Sequence, residues 1–131
     1  MSTSIQFNHT IVGARDREES ARFLAGVLGV ELGTAWGPFL PLALGNGVTL
    51  DFATMPPHLE VAPQHYAFLV PEESFDGIFG RITAAGIDYW ADPARTKPGE
   101  INHDHGGRGV YFLDPSGHYL EVITQPYDNV V

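Results

Sequence analysis

Four side chains that can bind a divalent metal stand at related places along the chain. His9 and His65 each begin a run typical of a β-strand, and Asp51 and Glu121 each lie inside such a run. Two neutral imidazoles and one carboxylate suit Fe(II), Mn(II), Zn(II) or Ni(II), and they leave coordination positions for water or substrate. Because the chain has no cysteine, any metal must be bound through nitrogen and oxygen. We therefore predict a site of His9, His65 and Glu121, with Asp51 as a fourth ligand, an outer hydrogen-bond partner or a polar wall.

Strand periodicity places these groups among apolar neighbours. Alternate side chains share a face of a strand, so His9 shares its face with Ile5, Phe7 and Ile11, a row that we expect to face the interior. A glutamate on such a face needs a partner, since burying an unpaired carboxylate is costly, and a divalent cation bound also by two imidazoles would supply one. Taken singly, each of these residues could equally be an ordinary core or surface residue with no role in a metal site. The case for a site depends on the joint pattern.

That joint pattern is an internal repeat. The segment Asn8-His9-Thr10-Ile11-Val12 resembles Gln64-His65-Tyr66-Ala67-Phe68, and each is followed by an acidic helix start and a helix that ends in glycine. Superposing the two halves places His9 on His65 and Asp51 on Glu121. A site on a pseudo-twofold axis would have this equivalence.

The order of elements is the same in both halves. After each helix come strand-like runs and a turn that leads into a last strand. The predicted strand runs after the helices are 30–36 and 48–54 in the first half, and 87–90 and 118–124 in the second. The repeat predicts two βαβββ modules, about 5–55 and 63–126, within one domain of residues 1–131. An insertion rich in proline, glycine and charge, at 93–108, is typical of a functional loop or lid.

Composition limits the partners. Sixteen acidic residues against seven basic ones give a net charge of −9, the wrong sign for binding nucleic acid or an anionic membrane. The first seven residues lack a basic and apolar leader pattern, and nowhere do eighteen apolar residues run together. We expect a cytoplasmic protein that acts on a small molecule.

The segment from Gly109 to Glu121 carries a family resemblance. Its sequence, Gly-Val-Tyr-Phe-Leu-Asp-Pro-Ser-Gly-His-Tyr-Leu-Glu, resembles the terminal segment of the vicinal oxygen chelate superfamily, which includes glyoxalase I, bleomycin and fosfomycin resistance proteins and extradiol dioxygenases. The resemblance implies an α+β fold in which two βαβββ modules pair into a curled mixed sheet that encloses a metal-binding cleft. It also implies metal ligands at His9, His65 and Glu121.

The resemblance implies an activity class only. Members bind vicinal oxygens of a substrate on the metal, so we expect a metal-dependent enzyme with dioxygenase or lyase/isomerase chemistry. Tyr111 matches a tyrosine of extradiol and fosfomycin-modifying enzymes, and His103 or His105 would be its acid/base partner. Aromatic residues are the candidates for the substrate pocket, although each is equally a core candidate: Trp36, Phe52, Trp90 and Tyr119.

Several questions remain open from the sequence. The chain is either an enzyme or a metal-free protein that sequesters a drug or metabolite, as bleomycin resistance proteins do. Fosfomycin enzymes use a basic cluster for the phosphonate, for which Arg95, Lys97 and Arg108 are a sparse counterpart. The open edges of curled sheets favour a homodimer, with modules paired within one chain or exchanged between two.

Overall fold

The structure is a computed structural model that describes residues 3–127. Met1 and Ser2 of the N-terminal stretch and the last four residues of the predicted domain lie outside the described residues. The chain divides into two compact units, residues 1–61 and 62–131, each with a mixed sheet and an α-helix. Between residues 3 and 127 no helix is long and apolar enough to cross a membrane.

The first unit is a three-stranded sheet with one helix. Its elements are β1 (His9–Ala14), α1 (Arg17–Leu28), β2 (Phe39–Ala43) and β3 (Thr49–Thr54). The strand order is β1-β3-β2, with β1 parallel and β2 antiparallel to β3. Asp16 starts α1 by accepting hydrogen bonds from the backbone N–H groups of Glu18 and Glu19, and Gly29 ends it at a left-handed φ of 74°. Both ends of this helix confirm the prediction.

The prediction of a strand over residues 30–36 is wrong. The segment makes single contacts only: the N–H of Gly33 donates to the carbonyl of Pro41 at 2.9 Å, and Trp36 forms a bridge with Phe39. The strand lies later in the chain, at β2. It was not predicted there because Pro38 and Pro41 argue against a strand in the sequence. Because β2 is an edge strand, the missing N–H of Pro41 is tolerated there.

The second unit follows the predicted βαβββ order. Its elements are β4 (His65–Leu69), a 3₁₀ turn (Glu72–Ser74), α2 (Phe75–Ala84), β5 (Tyr89–Trp90), a second 3₁₀ turn (Asp104–Gly106), β6 (Gly109–Leu113) and β7 (Tyr119–Ile123). The strand order is β4-β7-β6-β5, with β4 parallel to β7 and the other pairs antiparallel. Gly86 has the expected left-handed backbone, two residues beyond the end of α2.

The hydrophobic core of each unit lies between its helix and one face of its sheet. In the first unit Val12 and Phe52 are buried with Leu24 of α1, and in the second Phe112 and Val122 are buried with Ile78 and other residues of α2. Burying these side chains supplies most of the stabilisation, at roughly 1.5–3 kcal/mol for each large apolar group.

The other face of each sheet is open, which corrects the prediction for the apolar row of β1. Ile11 is 55% exposed and Phe7 is 65% exposed, and in the second unit Leu69 is 61% exposed. The reason is that α1 covers the residues of opposite parity, such as Val12, so the face that carries His9 is left outside the helix-packed core.

Candidate metal centre

Strand register gathers the site residues of the second unit on the open face of its sheet. Directly paired residues share a face, and one row of such pairs crosses all four strands: Ala67, Glu121, Tyr111 and Trp90. His65 pairs with Tyr119, which lies two residues before Glu121, so His65 stands diagonally next to Glu121 on the same face. The four strands therefore place polar and aromatic side chains next to one another on this face: His65, Glu121, Tyr111 and Trp90.

Glu121 is the centre of this arrangement. It is only 1% exposed, although it lies on the open face. His65 Nε2 lies 3.1 Å from Glu121 Oε1, and the hydroxyl of Tyr127 donates to both carboxylate oxygens, at 3.0 Å and 2.7 Å. The hydroxyl of Tyr111 lies 3.4 Å from that of Tyr127. His65, Tyr111 and Tyr127 all belong to the second unit.

The donor atoms fit a divalent cation. His65 Nδ1 lies 3.0 Å from the carbonyl oxygen of Tyr119, which can only accept, so Nδ1 carries the proton and the neutral imidazole presents a lone pair at Nε2. That lone pair faces a carboxylate oxygen, so two acceptors meet unless the imidazole is protonated or a cation lies between them. Two ligands about 2.1 Å from one metal and adjacent in its coordination shell are separated by about 3.0–3.4 Å, which matches the 3.1 Å observed.

A turn before β7 holds His65 in place. Asp114 accepts hydrogen bonds from the backbone N–H groups of Ser116 and His118, and Gly117 has a φ of 94°. The buried His118 accepts the backbone N–H of Gln64 at its Nδ1, 3.0 Å away, and Tyr119 donates its own N–H to the carbonyl of Gln64. The Asp-Pro-Ser-Gly turn identified in the sequence thus fixes the residue directly before His65.

Two tyrosine hydroxyls next to the carboxylate stay protonated. Burial raises the pKa of Tyr111 far above its usual range, and its hydrogen bonds with Tyr127 and Glu121 raise it further. Burial also raises the pKa of Tyr127, with a further contribution from its hydrogen bond to Glu121. Neutral hydroxyls can donate to the carboxylate or to a substrate oxygen.

Tyr127 is the site residue that the sequence analysis missed. It follows the last strand, where no periodicity assigns a side chain to a face. The signal that could have identified it is an aromatic residue six positions after a candidate metal carboxylate, close enough for the chain to fold back onto it.

The first unit carries an equivalent pair of residues. Ile11 pairs with Asp51 as Ala67 pairs with Glu121, and His9 stands two residues before Ile11 as His65 stands two before Ala67. Asp51 is buried, and His9 is exposed with Nδ1 2.7 Å from the Asn8 side-chain oxygen, which leaves Nε2 as the lone-pair nitrogen. No group of three or more metal-binding side chains is gathered within residues 3–127.

The two loop histidines have different surroundings. His105 has a left-handed φ of 58°, and its ring stacks on that of Tyr127 with 4.7 Å between centroids. It is exposed, and its ring touches a residue that hydrogen-bonds to Glu121. His103 lies just before the second 3₁₀ turn and is exposed.

A cavity of about 400 Å³ opens beside His65 in the second unit. Trp90 and Tyr119, two of the predicted pocket residues, line it together with other aromatic and loop residues: Tyr111, Phe112, Tyr127, Pro93, Ala94, Arg95, Leu113 and Leu120. The other two predicted pocket residues belong to the first unit. Trp36 is exposed, and Phe52 lies in the core on the face opposite Asp51.

Arg108, one of the three sparse basic residues, is already paired. Its guanidinium lies 2.9 Å from Glu72, 2.6 Å from Asp76 and 4.5 Å from the centre of the Phe75 ring. These hydrogen bonds raise the pKa of Arg108 above its usual range. Arg108 therefore fastens β6 to the start of α2 rather than offering its charge to a phosphonate.

Comparison with known proteins defines the class. Residues 6–122 match the Glyoxalase/Bleomycin resistance protein/Dioxygenase superfamily, and the chain belongs to it. It is 32% identical over 120 residues to "Glutathione transferase FosA" of Serratia marcescens, covering 88% of this chain and 77% of that protein.

Two solved structures are more similar. "Oxidase ChaP-H2" is 56% identical with a TM-score of 0.92, covering 96% of this chain and 98% of that one. "Oxidase ChaP-H1" is 53% identical with a TM-score of 0.90, covering 96% and 100%.

Proposed function

We propose that this protein is a divalent-metal-dependent oxidase that acts on a small aromatic substrate whose vicinal oxygens bind the metal. The observation that carries the proposal is the buried Glu121 carboxylate, which faces His65 Nε2 at 3.1 Å beside a cavity lined by aromatic residues. Similarity to two proteins named as oxidases favours oxygen-dependent chemistry over lyase or isomerase chemistry.

In this proposal His9, His65 and Glu121 hold the metal, and Asp51 supports His9 from its own unit. When bound, a redox-active ion such as Fe(II) would supply the binding of O₂ and of the substrate oxygens. Tyr127 keeps Glu121 oriented through its two hydrogen bonds. The aromatic side chains of Trp90 and Tyr119 hold the flat body of the substrate and exclude water.

The proton-handling groups are Tyr111 and a loop histidine. Tyr111 donates a hydrogen bond from a hydroxyl that stays neutral, because burial raises its pKa. His105 touches Tyr127 and is exposed, so it can pass protons between the site and solvent. His103 remains the second candidate for this role.

The test is oxygen uptake by protein reconstituted with Fe(II), measured against a panel of catechols and hydroxynaphthoquinones. We expect uptake that needs both metal and substrate, falls at least a hundredfold in Glu121→Gln, and is unchanged in Tyr89→Phe, whose half-buried ring packs on Phe79 outside the cavity. Conversion without oxygen would contradict the proposal. Stoichiometric binding without turnover would instead support the sequestering protein.

A further inference from the structure

Arg95 reaches the cavity from the loop that follows β5. Its guanidinium carbon lies 5.8 Å from the centre of the Trp90 ring and 5.6 Å from the centre of the Tyr119 ring, and all three residues line the cavity. A guanidinium over aromatic faces keeps its charge, and the N–H groups in its plane remain able to donate. Arg95 thus brings positive charge to an otherwise largely aromatic wall.

The loop that carries Arg95 is held by hydrogen bonds between its own residues. The carboxylate of Asp92 accepts hydrogen bonds from the backbone and hydroxyl of Thr96 and from the backbone N–H of Lys97, at 2.6–3.1 Å. The N–H of Ala91 donates to the carbonyl of Lys97, which closes the loop. At the tip of the loop Arg95 has a left-handed φ of 60°, a backbone conformation that is uncommon for residues other than glycine.

The charge of Arg95 is available to a ligand. Within residues 3–127, Arg95 is in none of the observed ion pairs, whereas Arg22 and Arg108, for example, are each paired with a carboxylate. A planar guanidinium binds a carboxylate through two parallel hydrogen bonds, whereas a neutral amide cannot receive the same charge-assisted pair.

From this placement we infer that Arg95 determines specificity by binding a carboxylate carried on the aromatic body of the substrate. The inference deepens the proposed function, on which it rests by taking the cavity as the substrate site. The aromatic ring lies against Trp90 and Tyr119, and the carboxylate meets Arg95 at the loop. Substrates without the anionic group bind less tightly.

The test uses metal-free protein and two probes of the same shape, 2-naphthoate and 2-naphthamide. We expect wild type to bind 2-naphthoate at least tenfold more tightly by calorimetry, because a hydrogen bond to a charged group contributes more than one to a neutral group. The indole N–H signal of Trp90 should shift in the NMR spectrum with either probe. Arg95→Gln should abolish the preference, and Arg95→Lys should restore part of it.

The matched control is Arg81→Gln, which removes an exposed arginine from α2, the helix on the opposite face of the sheet. This variant should keep the wild-type preference. Equal affinity of wild type for the two probes, no binding of 2-naphthoate, or an unchanged preference in Arg95→Gln would each overturn the inference. Since neither metal nor oxygen is present, failure of the oxidase proposal would not produce these results.

Discussion

Glu121 brings together most of the chemistry at the scale of single residues. A carboxylate that is 1% exposed requires donors or a cation, and here His65 and Tyr127 surround it. The shared face of His65 and Glu121 could be predicted from the sequence, because strand alternation and the repeat both select these two residues. Tyr127 could not, because its position depends on how the chain turns after β7.

Removing the hydroxyl of Tyr127 should weaken metal binding. In Tyr127→Phe the carboxylate loses the donor at 2.7 Å and is free to rotate, so we expect metal affinity to fall by about tenfold or more. Competition with a chelating dye measures the affinity. Tyr89→Phe, which removes a hydroxyl outside the site, serves as the control. Equal affinity in Tyr127→Phe and wild type would show that the hydrogen bonds do not orient Glu121.

At the scale of elements, one turn and one loop place the site residues of the second unit. The caps of α1 and the turn at 114–117 were predictable because Asp, Gly and Pro act through local backbone chemistry. The strand after α1 was not, since Pro41 reads as a strand breaker until the edge position of β2 is known. The loop that carries Arg95 was recognised by composition, but its shape comes from the hydrogen bonds of Asp92.

The Asp92 loop should be sensitive to acid. Hydrogen bonds from Thr96, followed by Lys97, lower the pKa of Asp92 below its usual 3.8. The ionised form of Asp92 is therefore favoured in the folded loop. The ionised carboxylate stabilises the loop fully at pH values above the usual pKa, and this stabilisation is lost as the pH falls through the lowered pKa. We expect the amide signals of Thr96 and Lys97 to titrate below pH 3.8 in NMR spectra.

Two variants separate this effect from general acid unfolding. Asp92→Asn should remove the titration and loosen the loop at neutral pH, while Asp88→Asn, at an exposed position before β5, should leave the titration in place. A midpoint at or above 3.8 would contradict the assignment of these hydrogen bonds.

At the scale of the whole molecule, each unit leaves the apolar residues of one sheet face exposed. Ile11 and Phe7 in the first unit and Leu69 in the second are more than half exposed in the single chain. The sequence indicated that this face of each sheet carries apolar residues, but it did not show what packs against that face. Strand alternation shows which residues share a face and not which element covers it. Apolar area of this kind favours association between copies.

We expect a homodimer in solution. Sedimentation velocity should give twice the chain mass of 14.3 kDa at micromolar concentration, and a monomer there would contradict the prediction.

Mixed dimers then distinguish how the modules pair. A dimer of one His9→Ala chain and one Glu121→Ala chain keeps one intact site if modules are exchanged between chains, and none if they pair within a chain. Metal analysis of the purified mixed dimer reads this difference directly.

The most direct measurement is the metal content of untagged protein, by elemental analysis, in wild type and in His9→Ala, His65→Ala and Glu121→Ala. We predict about one divalent metal per chain in wild type and in the control His58→Ala, an exposed histidine, and loss of metal in the other three with the fold retained by circular dichroism. Wild type that stays metal-free after reconstitution with Fe(II), Mn(II), Zn(II) or Ni(II), or ligand variants that keep their metal, would contradict the assignment of the centre.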